Sequence, residues 1–259
     1  MKRNKVTLFN VTFDNLTMDE AVREIDNIIV QNKRHNKADF VVTPNVDHIV
    51  NIHKNRFFKE AYQKAALTLV DGAPIVFLSK VFNKSLKEKV SGSDLTPRLF
   101  ELAQKKQYRV FIFGSLPGVA DLAIKRIKEE HGYNFPISSY SPPFGFESKE
   151  DTLNECINII KQFNPDILLV SIGSPKGELF IYQNLEKLKV PLSIQVGASI
   201  DFIAGTVKRA PLWMQKYGLE WFYRFLKEPK RLFKRYFVND SYFFLLIIKE
   251  IYSIYLKRK

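Results

Sequence analysis

The feature that most constrains this chain is a repeated pairing of a short apolar run with an abrupt polar or glycine turn, each followed by a longer helical stretch. Asp39-Phe40-Val41-Val42 runs into Thr43-Pro44-Asn45, and Leu67-Thr68-Leu69-Val70 into Asp71-Gly72. Residues 108–113 run into Gly114-Ser115-Leu116-Pro117-Gly118, residues 166–172 into Gly173-Ser174-Pro175-Lys176-Gly177-Glu178, and residues 191–196 into Gly197-Ala198-Ser199. Short strands alternating with helices specify an α/β fold: a Rossmann-like, largely parallel sheet with helices on both faces. Ligands of such sheets sit outside the carboxyl ends of the strands. Thr43, Asn45 and Asp71 are therefore expected in one cleft, with Asp71 the obvious general base.

Other elements follow from local signals. Residues 6–13 read as an opening strand or hairpin. Thr17 with Glu20 three positions on is a capping box for a helix over residues 18–31. Further helices are expected over 46–64, 73–81, 93–104, 119–130 and 151–162, and a short strand over 135–140 leads into the stiff loop Ser141-Pro142-Pro143-Phe144-Gly145-Phe146. A helix opening at Gly114–Gly118 would aim its N–H groups at a phosphate, although an ordinary βα turn fits the same residues. Asp71 and Asn45 also fit helix caps, and Thr43 a strand-end hydroxyl.

A chain of 259 residues buries roughly 75% of its unfolded surface without staples. Its single Cys156 reads as a buried helix thiol, which fits a reducing compartment. The basic N-terminus is followed by a stretch broken by Asn10, Asp14 and Asn15, so no signal peptide is expected. From Lys208 to Lys259 stand 13 Lys and Arg against 4 Asp and Glu, so +9 of the net +13 lies in the last fifth of the chain. The expected division is a catalytic α/β domain over 1–207 and a basic, amphipathic, helical C-terminal appendage over 208–259. Such basic surfaces attract phosphates on nucleic acid, anionic lipid or substrate.

Within that appendage, Arg224, Lys227, Arg231, Lys234 and Arg235 share one side of a helical wheel. Phe222, Phe225, Leu226, Leu232, Phe233, Tyr236 and Phe237 share the other, and Pro229 is expected to begin a second helix. Residues 242–256 are apolar but interrupted by Lys249-Glu250, too short for the roughly 20 residues of a membrane span. An interfacial helix on an anionic membrane surface fits; a helix packed on the sheet or on another subunit, with a solvated basic tail, is the alternative. The expected location is cytoplasmic, peripheral at the inner face of the cell membrane.

Taken in order, Thr43-Pro44-Asn45, Asp71-Gly72, Gly92-Ser93-Asp94-Leu95, Phe113-Gly114, Pro142–Phe146, Gly173–Lys176, Asp201-Phe202-Ile203-Ala204-Gly205, Arg209-Ala210-Pro211 and Gly218–Arg224 resemble the ordered blocks of the WecG/TagA/CpsF glycosyltransferase family. The resemblance implies transfer of a sugar, N-acetylmannosamine or a related hexose, from a UDP-sugar to a polyprenyl-diphosphate-linked sugar with inversion, in the synthesis of surface polysaccharide or teichoic acid. It assigns Asp71 as base with Thr43 and Asn45 beside it, and implicates Arg224 and Arg231 in catalysis. It places Lys89, Gly114, Ser115, Phe144, Gly145, Gly173, Pro175, Glu178, Gly197, Asp201, Arg209, Lys234 and Arg235 around the substrates. Three positions depart from the family pattern: Gly177 stands where Gln is common, Lys89 where Arg is common, and Gly197-Ala198-Ser199 replaces a more Gly-rich turn.

The chemistry suits these residue types. An inverting transfer needs one base for the acceptor hydroxyl, and the departing diphosphate needs positive charge. No two Asp residues stand two apart as in a metal-holding Asp-x-Asp, so helix N-termini, Lys and Arg are expected to meet the diphosphate, with no metal or cofactor. A nucleic-acid-binding protein without enzymatic activity is the rival reading of the charge and of aromatics interleaved with bases, but it leaves Asp71, Thr43 and the glycine turns without purpose. A nicotinamide enzyme would need Gly-x-Gly-x-x-Gly after its first strand. His35, His48, His53 and His131 have no metal-ligand spacing, and His48 lies close enough to Asn45 to edge the cleft. The donor sugar, acceptor and oligomeric state stay open, a homo-oligomer included.

Overall fold

The computed structural model describes residues 4–233 and 239–256, apart from the side chains of Arg231 and Tyr255. The chain opens with an antiparallel hairpin, β1 (Lys5–Leu8) and β2 (Val11–Asp14). Its two turn residues, Phe9 and Asn10, both have positive φ, as a tight hairpin turn matching the strand twist requires. Thr17 and Glu20 cap α1 (Met18–His35) reciprocally; the helix runs a turn beyond its expected end. β3 (Asp39–Val42) follows. The single helix expected over 46–64 is two, α2 (Val46–Lys54) and α3 (Arg56–Lys64). Asn55 divides them: its backbone is extended and its Oδ1 accepts the Phe58 N–H, so its side chain starts a new helix where the backbone would have continued the old one.

β4 (Leu67–Thr68), α4 (Ala73–Val81), α5 (Gly92–Lys106), β5 (Val110–Gly114), α6 (Val119–His131) and β6 (Ile137–Tyr140) follow the expected alternation. After α7 (Glu150–Phe163) and β7 (Ile167–Ser171) comes α8 (Lys176–Leu188), then β8 (Leu192–Gln195) and α9 (Ser199–Ala204). The C-terminal part is α10 (Leu212–Lys216), α11 (Glu220–Lys227), α12 (Pro229–Phe233), begun by Pro229 as expected, and α13 (Tyr242–Leu256).

The main sheet has the order β4-β3-β8-β7-β5-β6, with every pair parallel. Its inner strands are buried on both faces, as crossover helices require, while the edge strand β6 is half-buried. Alternate side chains feed two cores. Phe40, Val42, Phe111, Phe113, Leu168 and Val170 pack on one face with residues of α2, α3, α7 and α8. Val41, Val110, Ile112, Ile167, Leu169, Leu192 and Ile194 pack on the other with α1, α5, α6 and α9. In the first core Phe113 stacks on Phe180 at 4.9 Å, and Phe146 closes the edge of both rings.

The C-terminal helix returns to the beginning of the chain. Phe243 and Leu246 are buried, Phe243 lies 4.9 Å from the Phe9 ring, and Glu250 accepts from the Phe9 N–H (3.1 Å) and from Lys84 (2.6 Å). The opposite side exposes Phe244, Leu245, Ile248, Ile251, Tyr252 and Leu256. The helix thus has one face packed on the opening hairpin and one exposed apolar face. Among the described residues no helix is long and apolar enough to cross a membrane.

Gly114, at the end of β5, has φ +114°, and a Cβ there would collide with the Ser171 carbonyl of β7. Gly114→Ala is expected to destabilise the protein by more than about 1 kcal/mol, read as a lower midpoint in urea denaturation.

Candidate active site

The carboxyl edge of the sheet brings the first set of predicted residues together through the backbone. The Leu69 N–H donates to Val42 O (2.9 Å) and the Asp71 N–H to Pro44 O (3.0 Å), while the Val90 N–H donates to Val70 O (2.8 Å). Thr43, Asn45, Asp71 and Lys89 are held side by side by these bonds. Asn45 is the N-cap of α2: its Oδ1 accepts the His48 N–H (3.2 Å), and its own N–H donates to His48 Nδ1 (3.4 Å). Asp71 does not cap α4, whose N-cap is Gly72 with no side-chain cap bond. The local alternative is therefore realised for Asn45 and not for Asp71, and the Asp71 carboxylate is left for other work.

Cations and anions alternate around that carboxylate. Lys89 Nζ lies 2.9 Å from Asp94 Oδ2, Arg209 bridges Asp94 Oδ1 (2.6 Å) and Glu220 Oε1 (3.2 Å), and Arg224 lies over the Phe202 ring at 5.0 Å. Burial works to raise the Asp94 carboxyl, but the Ser91 hydroxyl, Lys89 and Arg209 outweigh it and hold the group below its usual range. Asp71 shows the opposite balance. Desolvation pushes it up to about 6 against the pull of Lys89, His48 and Arg224, with Glu220 adding to the rise. Asp201 is raised for the same first reason, with Arg224 opposing. A carboxylate with that poise is ionised at neutral pH yet keen to take a proton, the condition for a general base.

A second set of residues lies further along the edge. Ser115 Oγ and Ser171 Oγ are 2.8 Å apart, and Ser171 Oγ donates to Gly197 O (2.8 Å), which ties the turns after β5, β7 and β8. Gly173 and Pro175 lead into α8 in the same region. Phe144 and Gly145 follow β6, at the sheet edge opposite β4; Phe144 is fully exposed, with Lys176 5.6 Å from its ring centre and paired to Glu147. Glu178 is 1% exposed, its carboxylate beneath the cleft floor beside His48. The Arg231 backbone belongs to α12; its side chain, Lys234 and Arg235 lie outside the described residues.

Sequence reasoning missed several participants. Asp94 and Glu220 hold the cations in place. Gln195 occupies the notch at Gly177, where a Cβ would lie 2.7 Å from Gln195 Cγ, and its Nε2 donates to Ile172 O (2.8 Å). The only available hint was Gly177 itself, a small residue where the resemblance leads one to expect an amide. Beside the Asp71 turn, an open groove is lined by Ala73, Val76, Phe77 and Lys80 of α4, with Lys89 and Lys216 at its rim.

A parallel α/β sheet that sets one poised carboxylate among cations at its carboxyl edge is the apparatus of a group-transferring enzyme working on a phosphorylated substrate. Residues 6–256 match the family described as "Glycosyl transferase WecG/TagA/CpsF family", and the chain belongs to it. The chain is 29% identical over 244 residues (94% of this chain, 91% of the relative) to the N-acetylglucosaminyldiphosphoundecaprenol N-acetyl-beta-D-mannosaminyltransferase of Bacillus subtilis (strain 168). It is 31% identical over 199 residues (76% and 74%) to the protein of the same name from Bacillus spizizenii, and 28% identical over 228 residues (88% and 87%) to that of Staphylococcus aureus (strain MW2).

The Asp71 balance has a stability consequence. A carboxyl raised from 3.8 to about 6 in the folded state binds its proton more tightly there than in the unfolded chain. Stability is therefore lost as pH rises from about 4 through about 6. At about 1.4 kcal/mol per pH unit, Asp71→Asn should stabilise the protein by up to about 3 kcal/mol at pH 8 and by much less at pH 4.5, measured by urea denaturation at both values.

Proposed function

We propose that this glycosyltransferase moves N-acetylmannosamine or a related hexose from a UDP-sugar to a polyprenyl-diphosphate-linked sugar, with inversion, at the cytoplasmic face of the membrane. The observation that carries the reading is Asp71, a carboxylate raised to about 6, tied by its backbone to the Thr43-Pro44-Asn45 turn and faced by Lys89 and Arg224. The printed names of the relatives supply the acceptor and the transferred sugar by analogy.

In the proposed step the acceptor hydroxyl attacks the anomeric carbon as Asp71 takes its proton. The bond from that carbon to the diphosphate breaks, and the electron pair leaves with UDP. Lys89 and Arg224 offset the charge that develops on the diphosphate, aided by the N–H groups of the turns after β5, β7 and β8. Lys89 and Arg209 are held by Asp94 and Glu220, so the incoming diphosphate exchanges one set of anions for another. Gln195, in the notch left by Gly177, is the amide positioned to meet the donor in that part of the cleft. The apolar groove along α4, with Lys80, Lys89 and Lys216 on its rim, suits a diphosphate joined to a polyprenyl chain. The nucleic-acid reading finds no support, because the family match takes in the basic C-terminal stretch as well.

The direct test is UDP release on membranes carrying a lipid-linked monosaccharide, across a panel of UDP-sugars. Turnover is expected with one donor and should fall about a hundredfold or more in Asp71→Asn; equal rates in both proteins would remove Asp71 from its role. Membrane association is read separately. Burial of one large apolar side chain is worth about 1.5–3 kcal/mol, so the double substitution Ile248→Asp and Tyr252→Asp, at exposed positions, should weaken sedimentation with phosphatidylglycerol vesicles at least tenfold without changing the helical circular dichroism.

A further inference from the structure

Beneath the Thr43-Pro44-Asn45 turn lies a buried polar cluster that the transfer step leaves unused. Glu178, in the first turn of α8, is 1% exposed, and neither of its carboxylate oxygens has a hydrogen-bond partner. Its nearest cationic candidate is His48 of α2, whose Nε2 lies 3.6 Å from Glu178 Oε1. The imidazole is boxed by the Phe58 and Tyr62 rings of α3 at 6.1 and 6.3 Å. The Tyr62 hydroxyl, likewise buried and without a hydrogen bond of ordinary length, faces the same carboxylate: burial, then the Glu178 charge and a side-chain interaction with Glu178, push its ionisation well above the ordinary range. The remaining titratable neighbours are Asp47 on α2 and Asp71 at the end of β4.

A buried carboxylate faced only by a Tyr hydroxyl and an imidazole, neither at ordinary hydrogen-bond distance, is a cost that apolar packing would avoid. Its geometry suggests a use. The Asn45 N–H donates into His48 Nδ1, which demands that the ring proton sit on Nε2, the nitrogen that faces Glu178. The His48 N–H in turn fixes Asn45 Oδ1, leaving Asn45 Nδ2 without a protein partner among the described residues, on a partly exposed residue next to Asp71.

We infer that Glu178 and His48 are positioning residues for sugar transfer: the carboxylate fixes the imidazole tautomer, and the imidazole fixes the Asn45 amide as a donor to the reacting substrates. Glu178 then acts through His48 and Asn45 rather than by touching substrate. The inference rests on the transferase reading for its kinetic consequence but not for its structural one.

Two variants of the full chain separate this role from simple packing. Glu178→Met keeps the length and removes the acceptor; Glu178→Gln keeps an acceptor oxygen and removes the charge. Long-range ¹⁵N–¹H spectra of the histidine rings, with His48 assigned through His48→Gln, should show a pure Nε2–H tautomer in the wild type and in Glu178→Gln, and a mixture in Glu178→Met. In the membrane assay kcat should fall at least tenfold in Glu178→Met, with no loss of thermal stability, and should stay within about threefold in Glu178→Gln. An unchanged His48 tautomer in Glu178→Met overturns the inference, as does an equal loss of kcat in both variants accompanied by lower stability. A wild type that turns over no UDP-sugar defeats the transferase reading instead, and the tautomer spectra then decide the Glu178–His48 coupling by themselves.

Discussion

The site depends on one constraint, the parallel register of β3 between β4 and β8. Val41 is opposite Leu67 on one side and Ile194 on the other, so the chain leaves all three strands at the same level. Thr43, Asp71 and the turn at Gly197 consequently emerge on a common edge. A slip of one residue in β3 would exchange Val41 with Phe40 and Val42 between the two cores and turn the whole strand over. The same pairing that buries the apolar residues therefore sets the distance between Asp71 and the Asn45 turn. The Asp71 N–H to Pro44 carbonyl bond is its last rung, carried past the point where regular strand ends.

Electrostatics at that edge is a contest between desolvation and nearby cations, and it is decided differently at two Asp residues. At Asp94 the Ser91 hydroxyl, Lys89 and Arg209 are in direct contact, and attraction wins. At Asp71 the cations act only through space, and burial wins. This difference sorts the two carboxylates into roles without reference to any family: Asp94 is a counter-ion, and Asp71 is the group with a proton affinity suited to chemistry near neutral pH. Glu220 belongs to both accounts. It holds Arg209 and adds to the rise at Asp71, which links the first turn of α11 to the state of that carboxyl.

Much of the fold was legible because its signals are local. The Thr17–Glu20 capping box, the Asp-Gly and Phe-Gly strand ends, and Pro229 as a helix start each depend on residues within four positions. The split at Asn55 was not, since an Asn within a helical pattern looks like a solvated residue until its backbone turns extended. The turn residues of the site were readable as strand ends, but their partners were not: Asp94 and Glu220 are 126 positions apart and share Arg209. Glu178 was the instructive case. Its place after a glycine turn suggests a ligand contact, whereas its burial beside His48, 130 residues earlier, follows from the packing of α8 on α3 and β3, which no local pattern encodes.

The C-terminal helix shows why a sequence can support two opposed readings. Residues 242–256 are apolar nearly all round, which is the mark of a helix buried on every side or lodged in a non-aqueous phase. In the structure Phe243 and Leu246 bury against the opening hairpin and Glu250 anchors to the Phe9 N–H and Lys84, while Phe244, Leu245, Ile248, Ile251 and Tyr252 find no protein surface. The charged pair that interrupts the run is what separates these surfaces. Glu250 turns inward to the Phe9 N–H and to Lys84, and Lys249 lies beside Ile248 and Tyr252 on the free side, 5.9 Å from the Tyr242 ring. A cation among exposed aliphatic and aromatic side chains matches an anionic interface better than it matches water. The helix is thereby held by one face to the opening hairpin and to α2, so any surface that takes up the other face would hold α2, and the Asn45 turn that begins it, in a fixed attitude to that surface.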